Sequence, residues 1–333
     1  MNNSTGFFKQ HEESTPVPHA FEAVFFAANT LVALVSAVGN TLVIITFLSS
    51  QNLQTSTNYY ITNMAVSDLL YVVAKWPLYS RSRLSHAFQC KVVNYLGPVS
   101  YSVSIESLVL ITVDRFIATV FPLKIAMISG RIRALFILLT WIVPLGAFVP
   151  LLYYTRNAES DEINLCSSDS SGLAGSIYLI VTSVIFYPVP LIVIIILNVR
   201  IMKSLRRTNP VIQGNGHSKR RQKQNTRVMK ILISIIVSFL VCWTLTYAAV
   251  FLLMFIQHFS EKGNILEMIL SFCPYFLPLL STVFNPLILL TFSTNYRQAL
   301  KDCLRLAFGK CRSCFVLQEV AREENIELSD LKQ

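Results

Sequence analysis

Charge is what this chain has least of. Only 14% of its 333 residues are Asp, Glu, Lys or Arg, 53% are hydrophobic, and the mean hydropathy is +0.53. That scarcity excludes an ordinary soluble domain, in which about a quarter of the residues are charged. The first twenty residues, with His11, Glu12 and Glu13, lack the basic-then-apolar-then-small order of a secretory leader. No cleaved signal is therefore expected, and insertion would rest on the first spanning segment. The absence of an internal repeat disfavours a transporter built from two related halves. The apolar segments hold no metal-ligand cluster and no nucleophile–base set, so the expectation is that the protein is not an enzyme.

The chain has instead long apolar runs, near 21–48, 59–80, 91–120, 132–154, 174–202, 227–257 and 267–291. About twenty such residues cross a bilayer core of roughly 30 Å as a helix. Runs such as Ile192 to Leu197 show no polar face at helical period, as a soluble bundle would. The expected fold class is an all-α membrane protein of seven spanning helices.

Its orientation follows from the cations. Ten Lys and Arg lie between Arg200 and Lys230 with no acid among them, Lys124, Arg131 and Arg133 follow the third segment, and Arg297, Lys301, Arg305, Lys310 and Arg312 follow the seventh. Lys and Arg accumulate in cytoplasmic loops, so these stretches are assigned inside and the amino terminus outside. The connection from Ser49 to Thr57 carries no charge and is silent on the point. The net charge of +10 is mostly this asymmetry, which disfavours nucleic acid as a partner. Three regions result: an extracellular tail over 1–20, a spanning domain over 21–304 and a cytoplasmic tail over 305–333.

The cysteines divide by compartment. Cys90 and Cys166 fall outside, where disulfides persist, and Cys242 and Cys273 lie in apolar runs as packing residues. Cys303, Cys311 and Cys314 follow the last span beside basic residues, as palmitoylation sites or as plain cytosolic thiols. Asn2 and Asn3 open two overlapping glycosylation sequons.

Each segment also carries a distinctive position. In order they are Gly39-Asn40; Asn63 to Leu69 with Asp68 at its centre; Cys90 above Asp114-Arg115; Trp141 and Pro144; Pro188 and Pro190; Phe239-Leu-Val-Cys242-Trp243; and Asn285-Pro286. The series resembles the rhodopsin-like (class A) G-protein-coupled receptors over roughly residues 21–304, closest in character to receptors for neuropeptides.

The resemblance implies a plasma-membrane receptor that passes binding of an extracellular peptide or other small ligand to a heterotrimeric G protein. It implies that Arg115 is held by Asp114 at rest and freed to touch the G protein when the bundle opens. It implies a disulfide between Cys90 and Cys166, and an allosteric sodium ion on Asp68 with Ser104 and either Asn285 or Ser281; no other cofactor is expected. Sodium takes oxygen ligands, but a protonated, hydrogen-bonded Asp68 is the alternative. Asn40, Trp243, Asn285 and Pro286 complete the implied activation core. Lys75, Trp76, Tyr95, Trp243 and Tyr247 are candidates for the ligand pocket, although Lys75 could instead snorkel to the lipid headgroups. Glu106 is expected to be protonated or hydrogen-bonded. Phe292, Tyr296, Ala299, Leu300, Cys303 and Leu304 share one helical face opposite Arg297, Lys301 and Arg305, which predicts an amphipathic eighth helix on the inner leaflet.

The departures are specific. Phe116 replaces the usual tyrosine beside the arginine, and Leu245 replaces the proline that bends the sixth helix. Leu289 and Asn198 replace two tyrosines that meet in the family's active state. These losses favour the competing reading of a seven-helix protein that binds or scavenges ligand without signalling. Residues 91–100 contain no acid to pair with an amine ligand, and 267–291 contain no lysine to hold retinal. The connection from Arg156 to Ser171 is long enough for a strand hairpin over the mouth, as in peptide receptors. Its acids, Glu159, Asp161, Glu162 and Asp169, face a rim with Lys75, Arg81, Arg83 and Lys91, and that mixed sign suits a peptide with charged or amidated ends.

Overall fold

A computed structural model describes residues 19–79, 86–121, 129–158, 165–168, 173–208, 216–259 and 265–305. Its helices are α1 (His19–Ser49), α2 (Ser56–Tyr79), α3 (His86–Val120), α4 (Gly130–Ala147), α5 (Val149–Tyr154), α6 (Leu173–Phe186), α7 (Pro188–Thr208), α8 (Gly216–Phe259) and α9 (Ile265–Phe292). Residues 294–305, here α10, are helical again. Strands β1 (Thr155–Ala158) and β2 (Leu165–Ser168) pair antiparallel, with Asn157 opposite Cys166, and the hairpin lies against α3. This is the hairpin expected between the fourth and fifth spans.

Two expected spans are broken in the middle, and proline explains both. Pro150 cannot donate to the carbonyl of Gly146, and the chain steps out of the helix at Phe148 before resuming as α5. Pro188 and Pro190 likewise leave the carbonyls of Val184 and Phe186 without helical donors, and a turn at Tyr187 separates α6 from α7. The sixth span, which has no proline, runs through α8 without interruption.

The packing is inverted relative to a soluble protein. Leu135, Leu138, Ile142, Ile180, Ile192 and Ile196 are exposed, whereas Ser67, Asp68, Ser100, Ser102, Ser104 and Ser107 are buried. In hydrocarbon only backbone groups bonded within a helix are tolerated, and polar side chains must turn inward. Among the described residues five stretches, Ala23–Ser49, Gly130–Tyr153, Leu173–Leu205, Thr226–Leu253 and Phe272–Phe292, are long and apolar enough to cross a membrane. Helices α2 and α3 are not among them. They are the polar centre of the bundle, packed on one another and flanked by α1, α4 and α7. Helix α9 closes the ring between α1 and α8. A Cβ on Gly39 would come within 2.8 Å of Pro286 Cγ, so the α1–α9 approach admits no side chain there.

At the far end of α9, Tyr296 and Ala299 of α10 are buried while Arg297 and Lys301 are exposed. Phe292 and Leu304, assigned to the same apolar face from sequence, stay largely exposed. That face is therefore split, with Tyr296 and Ala299 turned into the bundle and Phe292 and Leu304 left exposed.

Candidate functional site

Three polar centres lie along the axis between α2 and α3. The first is the ion pair. Arg115 Nη2 lies 3.2 Å from Asp114 Oδ2, with Asp114 buried and Arg115 about one quarter exposed. Thr57 of α2 donates to the same Asp114 oxygen at 2.7 Å, and Arg115 Nη2 in turn donates to the threonine hydroxyl. The pair is thus tied across to the start of α2 rather than left to neighbouring residues alone.

The second centre is Asp68, 2% exposed. One carboxylate oxygen accepts from Ser104 at 2.8 Å and the other from Asn285 Nδ2 at 2.8 Å, while Ser67 and Ser104 share a bond of 2.7 Å. Asn285 Oδ1 is buried without a donor. Asn40 donates to the carbonyl oxygens of Ser36 and Thr282, binding α1 to α9. Ser281 bonds the Pro278 carbonyl of its own helix. A cavity beside Asp68, with room for about one water-sized sphere, is lined by Ser100, Ser104, Ser281 and Thr282 and by Tyr71, Tyr101, Phe239, Trp243 and Pro278. Two carboxylate oxygens, an orphaned amide oxygen and several hydroxyls make an oxygen-rich donor set that fits a hard monovalent cation.

An aromatic floor stands over this cavity. Tyr101 lies 3.9 Å from Trp243 and 5.8 Å from Phe239 between ring centroids, and Tyr187 lies 4.6 Å from Tyr247 and bonds Thr244 at 2.7 Å. Among the described residues, the buried Trp243 Nε1 has no hydrogen-bond partner.

The third centre is Lys75, two helical turns beyond Asp68 on the side away from Arg115. It does not reach outward to the headgroups. Its ammonium lies 5.8 Å from the Tyr71 ring and 6.0 Å from the Tyr275 ring, and a Cβ on Gly97 would be 3.6 Å from Nζ. The lysine therefore points inward, between α2, α3 and α9.

Other expected residues sit elsewhere. Tyr95 turns its hydroxyl to the Leu145 carbonyl of α4 at 2.9 Å, away from the cavity. Cys303 donates to Ser49 at 3.7 Å. The side chains of Trp76, Cys90 and Cys166, and all of Asn2, Asn3, Arg81, Arg83, Cys311 and Cys314, lie outside the described residues. Three of the four departures also have places. Leu245 is half-exposed on the outside of α8, Leu289 is packed in the core, and Asn198 bonds the Ile194 carbonyl of its own helix.

Sequence reasoning did not single out Thr57, Tyr71, Tyr101, Tyr187 or Tyr275. Of these, only Tyr101 had a legible signal, standing one turn before Ser104 on α3 and so on the same face.

Comparison with known proteins agrees with this arrangement. The chain is 28% identical to Somatostatin receptor type 5 of Rattus norvegicus over 295 residues, 84% of this chain and 77% of that one. It is 24% identical to Neuropeptide FF receptor 2 of Mus musculus over 322 residues, 87% of this chain and 74% of the other. It is also 27% identical to Melanopsin of Homo sapiens over 303 residues, 85% of this chain and 62% of that protein. The family profile described as 7 transmembrane receptor (rhodopsin family) matches residues 39–289, well over half of the chain. With seven spans around a polar α2–α3 centre, the protein belongs to the rhodopsin family of seven-transmembrane receptors.

Proposed function

We propose that the protein is a plasma-membrane receptor that transmits the binding of an extracellular peptide to a heterotrimeric G protein, and that it acts as a receptor rather than an enzyme. The observation that carries the reading is the Asp114–Arg115 pair, buried and tied to Thr57 at one end of the bundle. Arg115 carries a planar guanidinium with five donors. Held by Asp114, it is unavailable to a partner; released, it offers a fork of donors to backbone carbonyls. The basic stretches on the same side support placing that end in the cytoplasm and the amino terminus, with Asn2 and Asn3, outside.

A peptide ligand is supported by relatives named for such ligands, among them Neuropeptide FF receptor 2, and by the β1–β2 hairpin against α3. A disulfide from Cys90 to Cys166 would pin that hairpin to α3. A sodium ion, when bound, supplies positive charge beside Asp68. The residues that would hold it are Asp68, Ser104 and Asn285, which draw α2, α3 and α9 together. Peptides of a library applied to cells bearing the chain should dissociate a G protein, and Arg115→Ala should silence that response while the peptide still binds.

A second reading, ligand capture without signalling, is favoured by Asn198 and Leu289. One bonds its own helix and the other is apolar core, so neither supplies the hydroxyl that the family uses to hold the open bundle. A peptide that binds tightly with no response from any G-protein class would establish that reading instead.

A further inference from the structure

We infer that Lys75 is an anion-binding group of the ligand cavity, and that the ligand carries a carboxylate where receptors for amines require an ammonium. The inference rests on the receptor reading above and narrows its ligand class. The sign of the site is fixed by three helices. From α3, no acid is available between Lys91 and Ser100, and Gly97 leaves vacant the volume a side chain would take; a Cβ there would stand 3.4 Å from Lys75 Cε. From α2 and α9, the rings of Tyr71 and Tyr275 face the ammonium. Among the described residues Lys75 makes no hydrogen bond and no ion pair.

An ammonium has three donors and a strongly held hydration shell. Ring faces near 6 Å attract a cation but donate no charge to pair it, and an ammonium inside a bundle of spanning helices is ordinarily paired. Among the described residues the site therefore lacks its anion. A structural lysine would have its carboxylate within the bundle, as Arg115 does. Lys75 instead stands one turn from Tyr71, which also lines the small cavity beside Asp68. A ligand with an aromatic or apolar body and a carboxylate end would meet the Tyr71 and Tyr275 rings and the ammonium beside them. A free peptide C terminus and an acidic side chain both supply that group.

The test uses the full-length receptor in detergent, with melting temperature as the readout and phenylacetate against phenylacetamide as probes. The acid is expected to raise the melting temperature and the amide not to. Lys75→Gln should abolish the shift and Lys75→Arg should retain it. Gly97→Asp, which keeps the lysine but supplies an internal carboxylate, should abolish it too, so the result does not hang on a lysine variant that folds poorly. For any peptide that binds, Lys75→Gln should weaken affinity by about thirtyfold or more. Separate conversion of its C terminus and of its acidic side chains to amides shows which carboxylate is read.

Equal shifts with acid and amide, a shift that survives Lys75→Gln, or no shift with the acid would overturn the inference. A carboxylate that binds through Lys75 without G-protein dissociation would keep it and sink the signalling reading. A signalling ligand indifferent to Lys75 would do the reverse.

Discussion

Arg115 and Lys75 are both cations on the inner side of the same helix pair, and they are kept in opposite ways. Arg115 has a carboxylate on the adjacent residue and a threonine from the next helix closing the set. Lys75 has a glycine where a partner could stand and ring faces for company. A buried charge given its partner internally holds a conformation and yields the charge only when that conformation breaks. One left without a partner is answered from outside the chain. The two ends of the bundle thus differ less in composition than in whether their charge is already satisfied.

The comparison breaks most visibly at Arg115. Arg115→Ala should cut G-protein dissociation on the order of a hundredfold, the scale of losing a desolvated charged contact, with ligand affinity within about threefold of wild type. Equal loss of binding and signalling would mean that the residue holds the fold rather than the partner.

Asp114→Asn turns Arg115 into a cation without a carboxylate, the condition of Lys75. Basal signalling in the absence of ligand should rise about tenfold, since a hydrogen bond to a charged group contributes about 1.5–3 kcal/mol. An unchanged basal level would show that the pair does not restrain the bundle.

Asp68 lies between the two cations and tests whether a third charge is answered by a mobile ion. A cation held more tightly by the resting bundle must oppose agonist by the same factor, about fivefold at the low end of such couplings. Radioligand competition should show agonist affinity falling as sodium replaces a bulky organic cation, and Asp68→Asn should abolish the difference. Identical curves in the two salts would remove the ion from the account.

The smallest effect is expected from Thr57→Val, which deletes the hydroxyl shared by Asp114 and Arg115 while leaving both charges. One hydrogen bond contributes about 1 kcal/mol, so basal signalling should rise about fivefold at most. A rise equal to that of Asp114→Asn would make the threonine, not the carboxylate, the principal restraint.

Much of the spanning architecture was legible because it depends on composition within single helices. Runs of apolar residues mark where the chain crosses, and proline marks where it breaks, although the breaks at Phe148 and Tyr187 were passed over within spans drawn as continuous. The Asp114–Arg115 neighbourhood was readable because its members are adjacent in the chain, and the meeting of Asp68, Ser104 and Asn285 rested on the resemblance. Thr57 was not visible: an ordinary residue in an uncharged connection becomes special only when α2 starts beside the end of α3. The same holds for Tyr71, Gly97 and Tyr275 around Lys75. They come from three helices, so their convergence depends on rotation about each helix axis, which a periodic pattern leaves undetermined when neither face of the helix is uniformly polar.

Helices α2 and α3 have a consequence for how the protein is made. Helix α2 carries Asp68 at its centre and α3 carries Asp114 and Arg115 toward its end, and a charged side chain opposes exit from the translocation channel into lipid, by about 2.5–3.5 kcal/mol at a helix centre. Their entry is expected to be cooperative, since the two helices pack on one another. During synthesis the receptor therefore passes through a window in which its most specialised helices are its least securely inserted ones. Ribosome-bound chains ending within α3 would be the point of greatest vulnerability to quality control.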